Sequence, residues 1–154
     1  MKIALFSGRF DPFNLGHIIT TGKLLQDYDK VIVCVLDYSG RESCDIESSI
    51  WILAEFLRLW ACCNRDRVVV VKNKTHFAKI TEEEIRVICW NATNISNIDK
   101  FTYVGGNEEV NRHISSLDFI KVEYRPRASI HNSTFIRDMI NSGKSLDEQY
   151  NIKV

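Results

Sequence analysis

The amino-acid sequence predicts an α/β fold: a single-domain, Rossmann-like, doubly wound parallel sheet of five strands with helices on both faces, over residues 1–154. The first observation behind this prediction is that short, β-rich apolar segments alternate with longer segments of helical periodicity. The second is the length of 154 residues, which suits one domain with one substantial core. The third is that glycine-containing loops directly follow two of the apolar segments, as at the carboxyl ends of parallel strands. Because parallel strands need right-handed crossovers, we expect helices on both faces.

The apolar segments predict five strands, at residues 2–7, 30–37, 67–72, 101–104 and 119–123. The segments between and after them predict five helices, at residues 18–27, 46–63, 81–91, 108–116 and 134–141. Thr81 and Glu84 form a capping-box pattern at the start of the third helix, and Gly143 follows the end of the last one. The helix at 46–63 carries more apolar side chains than one buried stripe needs. It is therefore expected either to lie inside the core or to support a homo-oligomer.

The charges of the chain balance, with 20 basic and 20 acidic residues, and 45% of its residues are apolar. This composition is typical of a globular protein and provides no net charge for binding nucleic acid. No apolar stretch is long enough to predict a membrane contact. The five cysteines are odd in number and form no C-x-x-C pattern, which argues against a disulfide framework and against a zinc site. We therefore expect a cytoplasmic protein with no metal site built from its own side chains.

The loop from Gly8 to His17 joins the first predicted strand to the first predicted helix, and it places His17 in the first turn of that helix. The N–H groups at a helix start lack intrahelical partners and carry partial positive charge, so they attract anions such as phosphate. The loop matches neither the Walker pattern nor G-x-G-x-x-G. Its polar groups are the amide of Asn14 and the imidazole of His17, which can donate hydrogen bonds to phosphate oxygens. The loop therefore predicts phosphoryl or nucleotidyl chemistry.

Three short motifs resemble one known superfamily. Residues 8–17, GRFDPFNLGH, resemble the G-x-F-D-P-x-(H/T)-x-G-H signature of the nucleotidyltransferases, which include phosphopantetheine and nicotinamide-mononucleotide adenylyltransferases and glycerol-phosphate cytidylyltransferases. Residues 130–137, IHNSTFIR, are similar to the late motif I-S-S-T-x-x-R, and residues 104–107 resemble a V-G-G-D turn. The resemblance implies an enzyme that transfers AMP or CMP from ATP or CTP to a small phosphorylated acceptor. It also implies release of pyrophosphate, with Mg²⁺ bound through the triphosphate.

The resemblance further implies three catalytic residues. His17 would donate to the α-phosphate, Asn14 would donate to the β-phosphate, and Arg137 would face the phosphate chain beside two helix-opening hydroxyls. The residues implied in nucleotide binding come from all three motifs: Gly8, Arg9, Phe10, Gly16, His17, Gly105, Gly106, Asn107, Ser133, Thr134 and Arg137. Of these, the two adjacent glycines and Asn107 are expected to meet the base or the ribose.

Other interpretations of the same residues remain open. Asn14 stands where the superfamily carries His or Thr, and His131 and Asn132 replace small residues of the late motif. These departures favour the alternative of a non-catalytic, nucleotide-binding regulatory protein with the same fold. Asn107 could simply be a helix N-cap. A detached piece of a class I aminoacyl-tRNA synthetase would share an H-x-G-H loop, but the chain has no K-M-S-K-S-like loop and no net positive charge.

Overall fold

The computed structural model describes residues 1–8, 15–36 and 66–126. The predicted helices at 46–63 and 134–141 lie outside the described residues. Within them, the chain order is β1 (Ile3–Gly8), α1 (Leu15–Asp27), β2 (Lys30–Leu36), β3 (Val68–Asn73), α2 (Glu82–Thr93), a 3₁₀ turn (Ile98–Lys100), β4 (Phe101–Gly105), α3 (Glu108–Ser116) and β5 (Lys121–Tyr124). All five predicted strands are present, with ends that differ by at most two residues from the prediction.

The five strands form one parallel sheet in the order β3-β2-β1-β4-β5. The chain adds β2 and β3 on one side of β1, and then returns to add β4 and β5 on the other side. The strand order therefore reverses between β1 and β4, which pair in parallel from Ile3 with Phe101 to Phe6 with Val104. The predicted α/β fold with a five-stranded parallel sheet is confirmed.

Alternate residues of the strands face two separate apolar clusters, because successive side chains of a strand point to opposite faces. On one face, α1 packs Leu24 and Leu25 against the valines of β2 and Val104 of β4. On the other face, α2 and α3 pack Ile85 and Ile114 against the remaining buried strand residues. Helices therefore cover both faces, as the alternating pattern predicts. No helix in the described part of the chain is long and apolar enough to cross a membrane.

The predicted capping box at the start of α2 is present. The Thr81 side chain accepts a hydrogen bond from the Glu84 N–H, and the Glu84 side chain returns to the backbone of Thr81. The carboxyl end of α1 is capped by a residue from outside the helix. The last turn of α1 has no basic residue, and Arg67 donates to the carbonyl oxygens of Leu25 and Tyr28. These bonds satisfy carbonyls that a helix end leaves without partners, and they tie the start of β3 to the end of α1.

Cys34 and Cys89 lie within the core, with exposed fractions of 0% and 2%. Burial raises the pKa of each thiol to about 12. A raised thiol pKa leaves roughly one thiolate in ten thousand molecules at pH 8, so we expect both side chains to resist alkylation in the folded protein. Peptide mass spectrometry after brief iodoacetamide treatment checks this, with guanidinium-unfolded protein as the positive control. Rapid labelling of Cys34 without unfolding would contradict the packing described above.

Candidate active site

Two strands that each end at a glycine lie side by side where the strand order reverses. Gly8 is the last residue of β1 and Gly105 is the last residue of β4. Because these strands are parallel neighbours, their carboxyl ends lie at the same edge of the sheet. Ligands of open parallel sheets bind at such a reversal, outside the carboxyl ends of the strands. The structure thus places the first glycine of the first motif beside the first glycine of the second motif.

The first turn of α1 contains His17. The helix begins at Leu15, three residues earlier than predicted, and His17 is its third residue. The side chain of Thr21, only 1% exposed, donates from Oγ1 to the carbonyl oxygen of His17 at 2.8 Å. This bond fastens the first turn of the helix to the next one. The imidazole is therefore carried by a fixed helical turn, next to N–H groups that have no intrahelical acceptor.

The helix starts differ in charge. The first turn of α1 has no acidic residue. By contrast, α2 opens with Glu82, Glu83 and Glu84, and α3 opens with Glu108 and Glu109. Carboxylates at a helix start occupy the position where an anion would bind and repel it. Among the three helices of the described residues, α1 is therefore the one suited to phosphate, whereas the start of α3 suits hydroxyl donors of a sugar.

The turn after β4 is fixed by hydrogen bonds from three directions. The side-chain oxygen of Asn107 accepts from the N–H of Val110 at 3.1 Å, so Asn107 is the N-cap of α3. The carbonyl oxygen of Gly105 accepts from the backbone N–H of Arg125 at 3.0 Å and from Nδ2 of Asn111 at 2.8 Å. Asn107 is therefore the helix N-cap that the sequence analysis left open as an alternative. Its side chain is also exposed, at the rim of the turn.

A hydrogen bond between two hydroxyl groups joins β1 and β4 close to the glycines that end them. Ser7 precedes Gly8, and its Oγ lies 2.9 Å from Oη of Tyr103, with either atom able to donate. Tyr103 is 3% exposed, and burial raises its pKa to about 12. The phenol therefore stays protonated at neutral pH and keeps this bond. Neither residue belongs to a sequence motif, although Ser7 adjoins Gly8, the first glycine of the loop.

Arg125, which directly follows β5, takes part in two ion pairs. The guanidinium of Arg125 contacts the carboxylate of Asp27 and, at 3.1 Å, that of Glu123. Glu123 also accepts a hydrogen bond from Oη of Tyr28 at 2.9 Å. This cluster ties β5 to the end of α1. Because two carboxylates balance its charge, Arg125 serves the packing of these elements rather than offering a cation for phosphate.

A groove of about 330 Å³ lies between the end of β3 and α2. Its lining includes Lys72 and Asn73 of β3 together with Glu83 and Glu84 of α2. The groove is separated from β1 by β2, and the acidic start of α2 disfavours phosphate there. We therefore assign the candidate site to the two glycine turns.

The predicted site residues divide into two groups. The structure places Gly8, Gly16 and His17 on one strand-to-helix connection, and Gly105, Gly106 and Asn107 on the neighbouring one. The others lie outside the described residues: Arg9, Phe10, Asn14, Ser133, Thr134 and Arg137. Among residues 1–8, 15–36 and 66–126 there is no group of three or more His, Cys, Asp or Glu side chains that could hold a metal ion.

The chain is similar to several known adenylyltransferases. No protein-family model matches it. The phosphopantetheine adenylyltransferase of Porphyromonas gingivalis is 25% identical over 150 residues, which cover 96% of this chain and 92% of the relative. The enzyme of the same name from Phocaeicola vulgatus is 24% identical over 148 residues, covering 95% and 93%. A nicotinamide-nucleotide adenylyltransferase of Pyrobaculum aerophilum is 37% identical over 62 residues, which are 38% of this chain and 35% of that protein.

Over nearly its full length the chain is similar to phosphopantetheine adenylyltransferases, which are nucleotidyltransferases. Solved structures of adenylyltransferases share its fold. The bifunctional NMN adenylyltransferase/ADP ribose pyrophosphatase of Francisella tularensis gives a TM-score of 0.77 at 20% identity, with 96% of this chain and 44% of that chain covered. The chain thus spans less than half of that bifunctional protein. The nicotinic acid mononucleotide adenylyltransferase of Plasmodium falciparum, complexed with NaAD, gives 0.64 at 10% identity, covering 97% and 89%.

These findings confirm two predictions made from the motifs. The resemblance to phosphopantetheine adenylyltransferases is confirmed by relatives that align over most of the chain. The resemblance to nicotinamide-nucleotide adenylyltransferases is confirmed by relatives that align over 38% of it. The prediction that the chain is a nucleotidyltransferase enzyme is confirmed by the same relatives. The individual roles of the site residues remain predictions.

Proposed function

We propose that this protein transfers AMP from ATP to a small phosphorylated acceptor and releases pyrophosphate. The observation that carries the proposal is that Gly8, which opens the His17 motif, and Gly105 end neighbouring parallel strands at the reversal between β1 and β4. The relatives described above are all adenylyltransferases, which favours AMP over CMP. CTP stays the alternative donor because the V-G-G-N turn resembles that of cytidylyltransferases.

The charges at the edge suggest how the nucleotide lies. The start of α1 has no carboxylate in its first turn, so we assign the triphosphate to that side. The start of α3 has Glu108 and Glu109, which would repel phosphate but could accept hydrogen bonds from ribose hydroxyls. The proposed nucleotide therefore runs along the edge from β1 towards β4. Asn14, Ser133, Thr134 and Arg137 are proposed to complete the phosphate side.

The reaction needs little acid–base chemistry. An oxygen of the acceptor phosphate, already anionic near neutral pH, forms a bond to the α-phosphorus. The bond from that phosphorus to the bridging oxygen breaks, and pyrophosphate leaves with the electron pair. Catalysis then rests on alignment and on stabilising the charge that develops on the α-phosphate oxygens. We assign this stabilisation to the His17 imidazole as a hydrogen-bond donor.

Mg²⁺ is proposed to bind through the phosphate oxygens of the nucleotide. Phosphates commonly supply most of the oxygen ligands of this ion. When bound, the ion would neutralise part of the triphosphate charge.

The acceptor has two supported candidates. The relatives that align over more than 90% of their own length are phosphopantetheine adenylyltransferases, which favours phosphopantetheine. The shorter but more identical match to a nicotinamide-nucleotide adenylyltransferase favours a mononucleotide. Both are phosphate monoesters on a small organic group, so the same attack on the α-phosphorus serves either one.

A pyrophosphate-release assay tests the proposal. The purified protein is incubated with Mg²⁺ and ATP or CTP, against phosphopantetheine, nicotinamide mononucleotide, glycerol phosphate and a sugar phosphate. We expect acceptor-dependent pyrophosphate release with ATP and with one of the first two acceptors, and a background rate without acceptor. Binding of ATP without release of pyrophosphate for any acceptor would instead favour the non-catalytic regulatory alternative.

A further inference from the structure

Asn111 lies beneath the Gly105 turn, in the second turn of α3, and it is 9% exposed. Its Nδ2 donates to the carbonyl oxygen of Gly105 at 2.8 Å. Because that carbonyl can only accept, the amide nitrogen must face it and the side-chain orientation is fixed. The other amide atom, Oδ1, is buried and has no hydrogen-bond partner among residues 1–8, 15–36 and 66–126.

The Cα of Gly105 is held between Asn111 and Tyr103. A Cβ added at Gly105 would lie 2.6 Å from Oδ1 of Asn111, 2.8 Å from Cε1 of Tyr103 and 3.1 Å from its Oη. The same Tyr103 hydroxyl is 2.9 Å from Oγ of Ser7, next to the first glycine loop. Ser7 thus bonds Tyr103 between β1 and β4, and Tyr103 and Asn111 both border the Cα of Gly105.

Stability alone does not account for asparagine at position 111. A buried carbonyl oxygen without a partner destabilises the folded state. Asparagine is also a poorer helix former than alanine at an interior position. The Gly105 carbonyl would still have the Arg125 N–H as a donor if the amide were removed. Asn111→Ala should therefore fold without loss of stability. The amide is then needed for the conformation of the turn and not for the stability of the core.

We propose that Asn111 is a positioning residue that holds the Gly105–Gly106 turn in the conformation that receives the nucleotide. Through its bond to the Gly105 carbonyl it sets the direction of the exposed backbone at Gly106, while remaining buried below the nucleotide. This inference rests on the proposed function for the identity of the ligand. It adds a residue that none of the sequence motifs includes.

The test compares Asn111→Ala with the unmodified protein and with Ser115→Ala, whose exposed side chain lies one turn further along the same helix. Calorimetric titration with Mg²⁺ and ATP measures the dissociation constant, and urea unfolding measures stability. For Asn111→Ala we expect the dissociation constant to rise about tenfold, the scale of one lost orienting hydrogen bond. We expect its urea midpoint to be equal to or higher than that of the unmodified protein, and Ser115→Ala to bind ATP unchanged.

In the pyrophosphate assay, the KM for ATP of Asn111→Ala should rise while kcat stays within about twofold, since the reacting groups on the α1 side are untouched. Equal ATP affinity of Asn111→Ala and the unmodified protein would overturn this inference and leave the proposed function standing. A lowered urea midpoint together with weaker binding would also overturn it, because the amide would then be a structural residue. An unmodified protein that binds neither ATP nor CTP would overturn both proposals.

Discussion

Replacing His17 with alanine should lower kcat for pyrophosphate release at least about 100-fold, the scale of losing one preorganised charge-stabilising donor. His17 is in the first turn of α1, which the buried Thr21 fastens from below through a 2.8 Å bond to the His17 carbonyl. That bond uses the backbone of His17, so the substitution leaves it intact. The variant should keep its circular dichroism spectrum and its melting temperature. Steady-state assays with whichever acceptor supports pyrophosphate release measure the loss.

The matched control for this prediction is Gln26→Ala, at an exposed position in the last turn of the same helix. It should keep the kcat of the unmodified protein, because it lies at the opposite edge of the sheet. Turnover of His17→Ala within about threefold of normal would remove His17 from the catalytic residues. A raised KM with an unchanged kcat would make it a ground-state binding residue instead.

Replacing Gly105 with alanine should lower the free energy of unfolding by about 1–3 kcal/mol, the usual cost of overpacking a closed site. The new methyl group would lie 2.6 Å from Asn111 Oδ1 and 2.8 Å from Tyr103 Cε1, closer than side chains approach in folded proteins. Both neighbours are buried and can move only by disturbing the core around them. Urea unfolding measures this loss of stability, and ATP affinity should fall because the displaced turn is part of the proposed site.

A double variant separates the crowding from other effects of the substitution. Combining Gly105→Ala with Asn111→Ala removes the shorter of the two close contacts and leaves the one with Tyr103. Residues in direct contact are coupled, so the double variant should lose less free energy of unfolding than the two single variants together. We expect the difference to be at least about 0.5 kcal/mol. Strictly additive losses would show that the Asn111 amide is not what crowds position 105.

Much of the framework could be predicted because its signals are local. The capping box of Thr81 and Glu84 marks a helix start within four residues, and the structure forms both of its bonds. The helix after the double glycine begins and ends where predicted, at Glu108 and Ser116. The strand limits follow from runs of valine and isoleucine bounded by polar residues. From the alternation of these elements, the parallel sheet and its reversal follow by general rules of connection.

Other features could not be predicted, for identifiable reasons. The first helix begins at Leu15 and not at residue 18, because Gly16 lowers helix propensity in the sequence but does not prevent the turn from forming. Tyr103 and Asn111 have ordinary core and helix positions in the sequence, and their roles depend on neighbours that only the folded chain supplies. The pairing of Ser7 with Tyr103 spans 96 positions of the chain. No local pattern indicates a contact of that range.

The central position of β1 has a consequence for how the molecule is made. On the ribosome, β1 can pair with β2 after a few dozen residues, but β4 emerges only after about a hundred. Closing so long a loop is slow compared with local pairing. The β1–β4 seam is therefore among the last parts of the sheet to assemble. A compound that binds across the β1–β4 seam would have no binding site in earlier folding intermediates. Its binding would therefore stabilise only the completed fold.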